Sequence, residues 1–153
     1  MIQKVVSGGQ TGVDRAGLDA AMAIGIPIGG YCPKGRLAED GTVPDIYPLI
    51  EMHSASYTSR TEQNVIDSDG TLVLNLGKLS GGTKRTVEFA IKHSRPYLTI
   101  QMEEKPEVTA VIEWIQQNSI CTLNIAGPRE SKCPGIYMIV EAYLQKVFER
   151  VVG

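Results

Sequence analysis

Cysteine is scarce in this chain. Cys32, Cys121 and Cys133 are odd in number and widely spaced, which excludes a disulfide framework and a zinc knuckle and points to a reducing, cytoplasmic compartment. The two histidines, His53 and His93, have no partners at ligand spacing, so no metal site is expected. Charge of either sign is nearly balanced: 15 Lys and Arg against 17 Asp and Glu leave a net charge of −2. Nothing there favours nucleic acid or an anionic membrane as a partner. No apolar run approaches the roughly 20 residues needed to span a bilayer. The N-terminus opens on strand-like Ile2-Gln3-Lys4-Val5-Val6, leaving no room for a signal peptide.

What is present is an ordinary globular composition, 42% hydrophobic and 21% charged over 153 residues, read as one domain over 1–153. Five apolar segments read as strands: Ile2 to Val6, Ile26 to Gly29, Thr71 to Leu76, Tyr97 to Ile100 and Thr122 to Ala126. They are nearly continuous in apolar character, as in strands covered on both faces. Helical patterns separate them. Val108, Val111, Ile112 and Ile115 form one stripe. Ile136, Ile139, Val140, Tyr143, Leu144, Val147, Phe148 and Val151 keep helical rhythm for about four turns. This alternation predicts a Rossmann-like α/β fold, a three-layer α/β/α sandwich with a mainly parallel sheet.

Ligands of such sheets sit at the carboxyl ends of the strands. After the first strand comes Ser7-Gly8-Gly9-Gln10-Thr11-Gly12-Val13-Asp14-Arg15, a glycine turn that opens a helix. Thr11 is expected to cap that helix, with Asp14 three residues on as a capping-box variant. Unpaired N–H groups and the helix dipole make such a turn an anion site. GGxxG is neither the dinucleotide GxGxxG nor a P-loop, so NAD and Mg-ATP are not expected. A second glycine turn, Ser80-Gly81-Gly82-Thr83, opens another helix, and Lys34, Arg36, Lys78, Lys84, Arg129 and Lys132 are placed at the same rim. Residues 31–56 lack periodicity and read as an ordered lid carrying Tyr31, Lys34 and Arg36. In the segment Tyr57 to Ser68, Tyr57, Arg60, Thr61 and Asn64 share one face, a polar stripe that could turn toward a ligand.

The stretches SGGQTGVDRAGLDAA (7–21), GYCPKGRLAEDG (30–41), YTSRTEQNV (57–65) with SDGTLVLN (68–75), and SGGTKRT (80–86) together resemble the molybdenum cofactor carrier family, in order over nearly the whole chain. That family sits in a Rossmann-like superfamily with the LOG-type phosphoribohydrolases. The resemblance implies a homo-oligomer that binds molybdenum cofactor, a pterin bearing a dithiolene and a terminal phosphate, for storage or delivery to a molybdoenzyme acceptor. Against the LOG-type motif, Arg60 matches the arginine nine positions before Asp69, Thr61 replaces the lysine, and Gly82-Thr83 match its GT. The position of the catalytic glutamate falls on Thr86, and Glu88 lies two residues further on. The resemblance therefore implies a retained phosphate cradle and a lost catalytic carboxylate.

The expected ligand is a phosphate-bearing small molecule. Gly81, Gly82 and Thr83, flanked by Ser80 and Thr86, would hold its phosphate. Gly8, Gly9, Gln10, Thr11 and Gly12, with Asp14 and Arg15, would hold a second polar part. Arg60 beside Asn64 would act as a clamp, Arg129 and Lys132 would close the rim, and Tyr31 would stack on a pterin. Cys32 or Cys133 could supply a sulfur ligand, though small buried residues are the plainer account. Two rival readings stand beside the carrier: a nucleotide hydrolase using Asp14, Glu39, Asp40 or Glu88 as acid or base, and a nucleotide-sensing module acting through a partner.

Overall fold

The computed structural model describes residues 1–152. Its elements in chain order are β1 (Lys4–Val6), α1 (Val13–Ile24), β2 (Ile28–Gly29), β3 (Tyr31–Cys32), β4 (Leu37–Ala38), β5 (Gly41–Thr42), β6 (Ile50–Glu51), α2 (Tyr57–Ile66), β7 (Gly70–Asn75), α3 (Gly81–Lys92), β8 (Tyr97–Gln101), α4 (Thr109–Gln117), β9 (Thr122–Ala126) and α5 (Ile136–Val151). Five strands form one parallel sheet in the order β2-β1-β9-β7-β8, and the Rossmann-like expectation holds. Helices α1, α4 and α5 pack together on one face and α2 with α3 on the other, as right-handed crossovers require. No helix among the described residues is long and apolar enough to cross a membrane.

The two faces of the sheet differ in chemistry. Leu72 and Leu74 of β7 and Leu123 and Ile125 of β9 point into the main core with Val13 and Ala16 of α1, Val111 and Ile115 of α4, and Val140, Leu144 and Phe148 of α5. The alternate residues Thr71 and Asn124 are buried but polar, and Asn124 Nδ2 donates to Thr71 Oγ1 at 3.1 Å. The strands therefore alternate beneath their apolar average, with the polar face turned to α2 and α3. Ile139 leaves the predicted α5 stripe, being 47% exposed.

Residues 31–56, ordered as expected, form a small unit with its own apolar centre. Cys32, Ala38, Val43, Tyr47 and Leu49 bury against Leu18 of α1. Arg36 closes this unit by donating to the carbonyls of Val43, Pro44, Tyr47 and Leu49 at 2.8–3.3 Å. The Asp19 carboxylate on α1 accepts from Tyr47 at 2.6 Å and from Tyr137 of α5, tying the unit to the main body. Burial and the Asp19 charge both push the Tyr47 and Tyr137 hydroxyls up, so they remain donors.

Candidate functional site

Reading the sheet from β9 gives its strands the order 3-2-1-4-5, with β9 first and β7 fourth. The chain thus reverses direction between β9 and β7, and the crevice at that point is where open α/β sheets bind ligands. A cleft of about 330 Å³ lies there, lined from β9 and its following loop, from α2 and α3, and from the start of α1. That size suits a small molecule.

Close backbone approaches build the walls. Gly127, which follows β9, admits no side chain, because a Cβ would overlap the Leu74 carbonyl of β7. Gly12 has φ +80, and a Cβ there would also meet Pro128 O at 2.5 Å. Val13 N donates to Pro128 O at 3.2 Å and Glu130 N donates to Thr11 Oγ1 at 3.2 Å, so the first glycine turn grips the loop after β9. Thr11 is therefore not the helix cap the sequence suggests. The cap position is Gly12, without a side-chain bond, and Asp14 reaches back to Gln10 N at 3.2 Å.

The opposite wall is the start of α3. Its first intrahelical bond runs from Lys84 N to Ser80 O at 3.2 Å, so the amides of Gly81, Gly82 and Thr83 precede the ladder and need other acceptors. Ser80 does not cap the helix; its hydroxyl receives the Lys132 ammonium. A Cβ built on Gly82 would meet nothing within 4 Å, so free space lies over this turn. Thr86 Oγ1 donates to Gly82 O at 2.9 Å one turn later.

Arg60 and Asp14 form the floor. The Arg60 side chain packs against Gly8, where any Cβ would overlap it, and its Cζ sits 5.8 Å from the Tyr57 ring centroid. Arg60 Nη1 meets Asp14 Oδ2 at 3.3 Å, while its buried Nε has no partner. Burial raises the Asp14 carboxyl above its ordinary range; Arg60, the Gln10 amide and Arg15 pull the other way. Gln10 commits its side-chain oxygen to Glu39 N at 2.9 Å and Thr11 N at 3.1 Å, leaving its NH₂ group free to donate. The charged groups lining the cleft are Arg60, Arg85, Arg129 and Lys132 against Asp14 alone.

Of the residues expected at the site, the cleft gathers Gln10, Asp14, Arg60, Gly81, Gly82, Thr83, Thr86, Arg129 and Lys132. Gly8 and Asn64 line only a water-sized recess beside it. Asn64 is occupied in both directions by the Tyr31 backbone, at 2.8 and 3.0 Å. Gly9 faces Val43 and Leu49. Arg15 lies outside the cleft, paired with Asp40 at 2.6 and 2.8 Å and bonded to Gly9 O. No residue of 31–56 lines the cleft, so Tyr31, Lys34 and Arg36 are away from it and the segment is a buttress instead of a lid. The cleft aromatic is Tyr57, and no cysteine lines it. Among the rival acids, Glu39 holds Ser131, Asp40 holds Arg15, and Glu88 is exposed outside the cleft; Asp14 alone lines it. Arg85, not among the residues expected at the site, stands one residue before Thr86 and donates to Thr58 Oγ1 at 3.2 Å. Tyr57 and Thr61 come from the polar stripe on α2.

The family model described as the circularly permutated YpsA SLOG family matches residues 5–148. The crystal structure named "Putative molybdenum carrier protein", from Syntrophus aciditrophicus SB, is 46% identical, with a TM-score of 0.90 over 96% of this chain and 94% of that one. The structure of (E)-4-hydroxy-3-methyl-but-2-enyl diphosphate reductase aligns at 14% identity and a TM-score of 0.42, over 95% of this chain and 59% of that one. No curated protein matches.

Proposed function

This chain belongs to the circularly permutated YpsA SLOG family, and from that premise we propose that it is a carrier holding a phosphate-bearing small molecule, molybdenum cofactor, in the cleft between β9 and β7. The observation behind this reading is the excess of donors in the cleft: four cations surround one buried carboxylate in a protein of net charge −2. The phosphate would rest on the amides of Gly81, Gly82 and Thr83, with Lys132 beside them. Gln10 NH₂, Arg85 and Arg129 would donate to the oxo groups on molybdenum, and Arg60 Nε would find its missing acceptor. With no cysteine in the lining, the cargo would be held by charge and hydrogen bonds, and release to a molybdoenzyme acceptor would break no metal–sulfur bond to the carrier. The carrier would work as a cytoplasmic homo-oligomer. The 46% identical protein is named a molybdenum carrier, which supports a molybdenum-bearing cargo.

Nucleotide hydrolysis is the second reading. It rests on Asp14, a buried carboxyl whose proton is held above the ordinary range at the cleft floor. Protein purified from molybdate-fed cells separates the two. The carrier reading expects molybdenum and oxidised-pterin fluorescence in near-equal amounts with the protein. Steady release of free base from a nucleoside monophosphate panel, with neither present, would overturn it.

A further inference from the structure

Resting on the phosphate-binding reading of this cleft, we propose that Tyr57 is the stacking platform that selects ligands in which a planar heteroaromatic ring is joined to the phosphate. Tyr57 contributes the only aromatic ring of the lining among the described residues. Arg60 covers one side: its guanidinium is boxed between Gly8 and the Tyr57 ring, with Cζ 5.8 Å from the centroid. Despite that cover Tyr57 stays 38% exposed and lines the cleft.

The ring is also held in place. Tyr57 is the first residue of α2, and Ser56 Oγ caps that helix by accepting from Thr58 N at 3.2 Å and Ser59 N at 3.4 Å. Thr61 Oγ1 donates to the Tyr57 carbonyl at 2.8 Å. Across the cleft Gly81 and Gly82 present no side chain, which leaves a slot with a flat wall on one side and bare amides on the other. A cation against the rear of the ring holds it in place and leaves offset stacking of a planar heterocycle at the front. The stack would run Gly8, Arg60, Tyr57, ligand ring, with the phosphate reaching the start of α3. Purine nucleotides and pterin phosphates share this chemistry, and the comparison of the two tells which source is preferred.

The test is calorimetric titration with neopterin monophosphate, guanosine 5′-monophosphate and ribose 5-phosphate, on wild type, Tyr57→Phe, Tyr57→Leu and Tyr57→Ala. Wild type should bind at least one ring-bearing phosphate more tightly than ribose 5-phosphate. Tyr57→Ala should weaken that ligand by about 5- to 100-fold and leave ribose 5-phosphate unchanged. Tyr57→Phe should retain the preference and Tyr57→Leu should lose most of it, which separates stacking from simple apolar area. Matching thermal melts check that the variants fold. Equal affinity of wild type for ringed and ringless phosphates, or an equal loss for both in Tyr57→Ala, would overturn the proposal. Failure of all three phosphates to bind would remove the phosphate reading as well.

Discussion

At the scale of single residues, Gly82 and Asp14 carry the sharpest expectations. A Cβ at Gly82 meets no protein atom within 4 Å, so valine there fills the cleft and disturbs little else. Ligand affinity should fall tenfold or more while the melting temperature stays within about 4 °C of wild type; unchanged titration calorimetry would show that the cradle lies elsewhere. Asp14 is 5% exposed, and burial raises its carboxyl above the usual 3.8 despite Arg60. A folded-state value above the unfolded one means the stabilising contribution is full below about 3.8 and is lost as pH climbs through the raised value. Asp14→Asn should therefore gain on wild type as pH rises from about 3.8 through the raised value. Thermal melts of both proteins across that range would show it; a pH-independent gap would contradict it.

Among the elements, the two glycine-bearing loops of the site do different work. Gly127 holds β9 against β7, where a Cβ would strike the Leu74 carbonyl. Gly127→Ala should cost about 1–3 kcal/mol in urea unfolding, whereas Gly82→Val should cost almost none. The helices flanking the cleft are tied where Glu62, midway along α2, accepts from Lys92 at the end of α3 at 3.0 Å and sits 2.7 Å from His93 Nε2. Strand, glycine turn and helix were legible from residues 1–24 and 70–92 because apolar runs, glycines and helical spacing are local signals. The use made of each polar group was not. Arg36, Arg15 and Asn64 have the chemistry of ligand clamps, yet the fold commits them to four carbonyls, Asp40 and the Tyr31 backbone. Residue type names a donor; only long-range packing names its acceptor. The same holds for residues 31–56, whose apolar side chains were visible but whose partner, Leu18, was not.

For the whole molecule, strand order decides where the site lies. The glycine turn after β1 draws attention in the sequence, but β9, last in the chain, enters the middle of the sheet beside β7. The cleft therefore centres on α3 and the loop after β9, and the first turn mainly braces that loop. Ile2 pairs with Val152, and Ile2 N donates to Val151 O at 3.1 Å, so the two ends of the described chain lie side by side. Joining them with a short glycine linker and reopening the chain in the turn near Ser119 should preserve a cooperative melt and ligand binding. Loss of both in the permuted chain would contradict the reading of the sheet as a reordered Rossmann unit. The central claim, that the β9–β7 crevice holds an anionic small molecule over the bare amides of α3, is tested most directly by native mass spectrometry of wild type and Gly82→Val from molybdate-fed cells. The account expects a bound phosphate-bearing mass on the wild-type protein and its loss from the variant; the same load on both, or none on either, would contradict it.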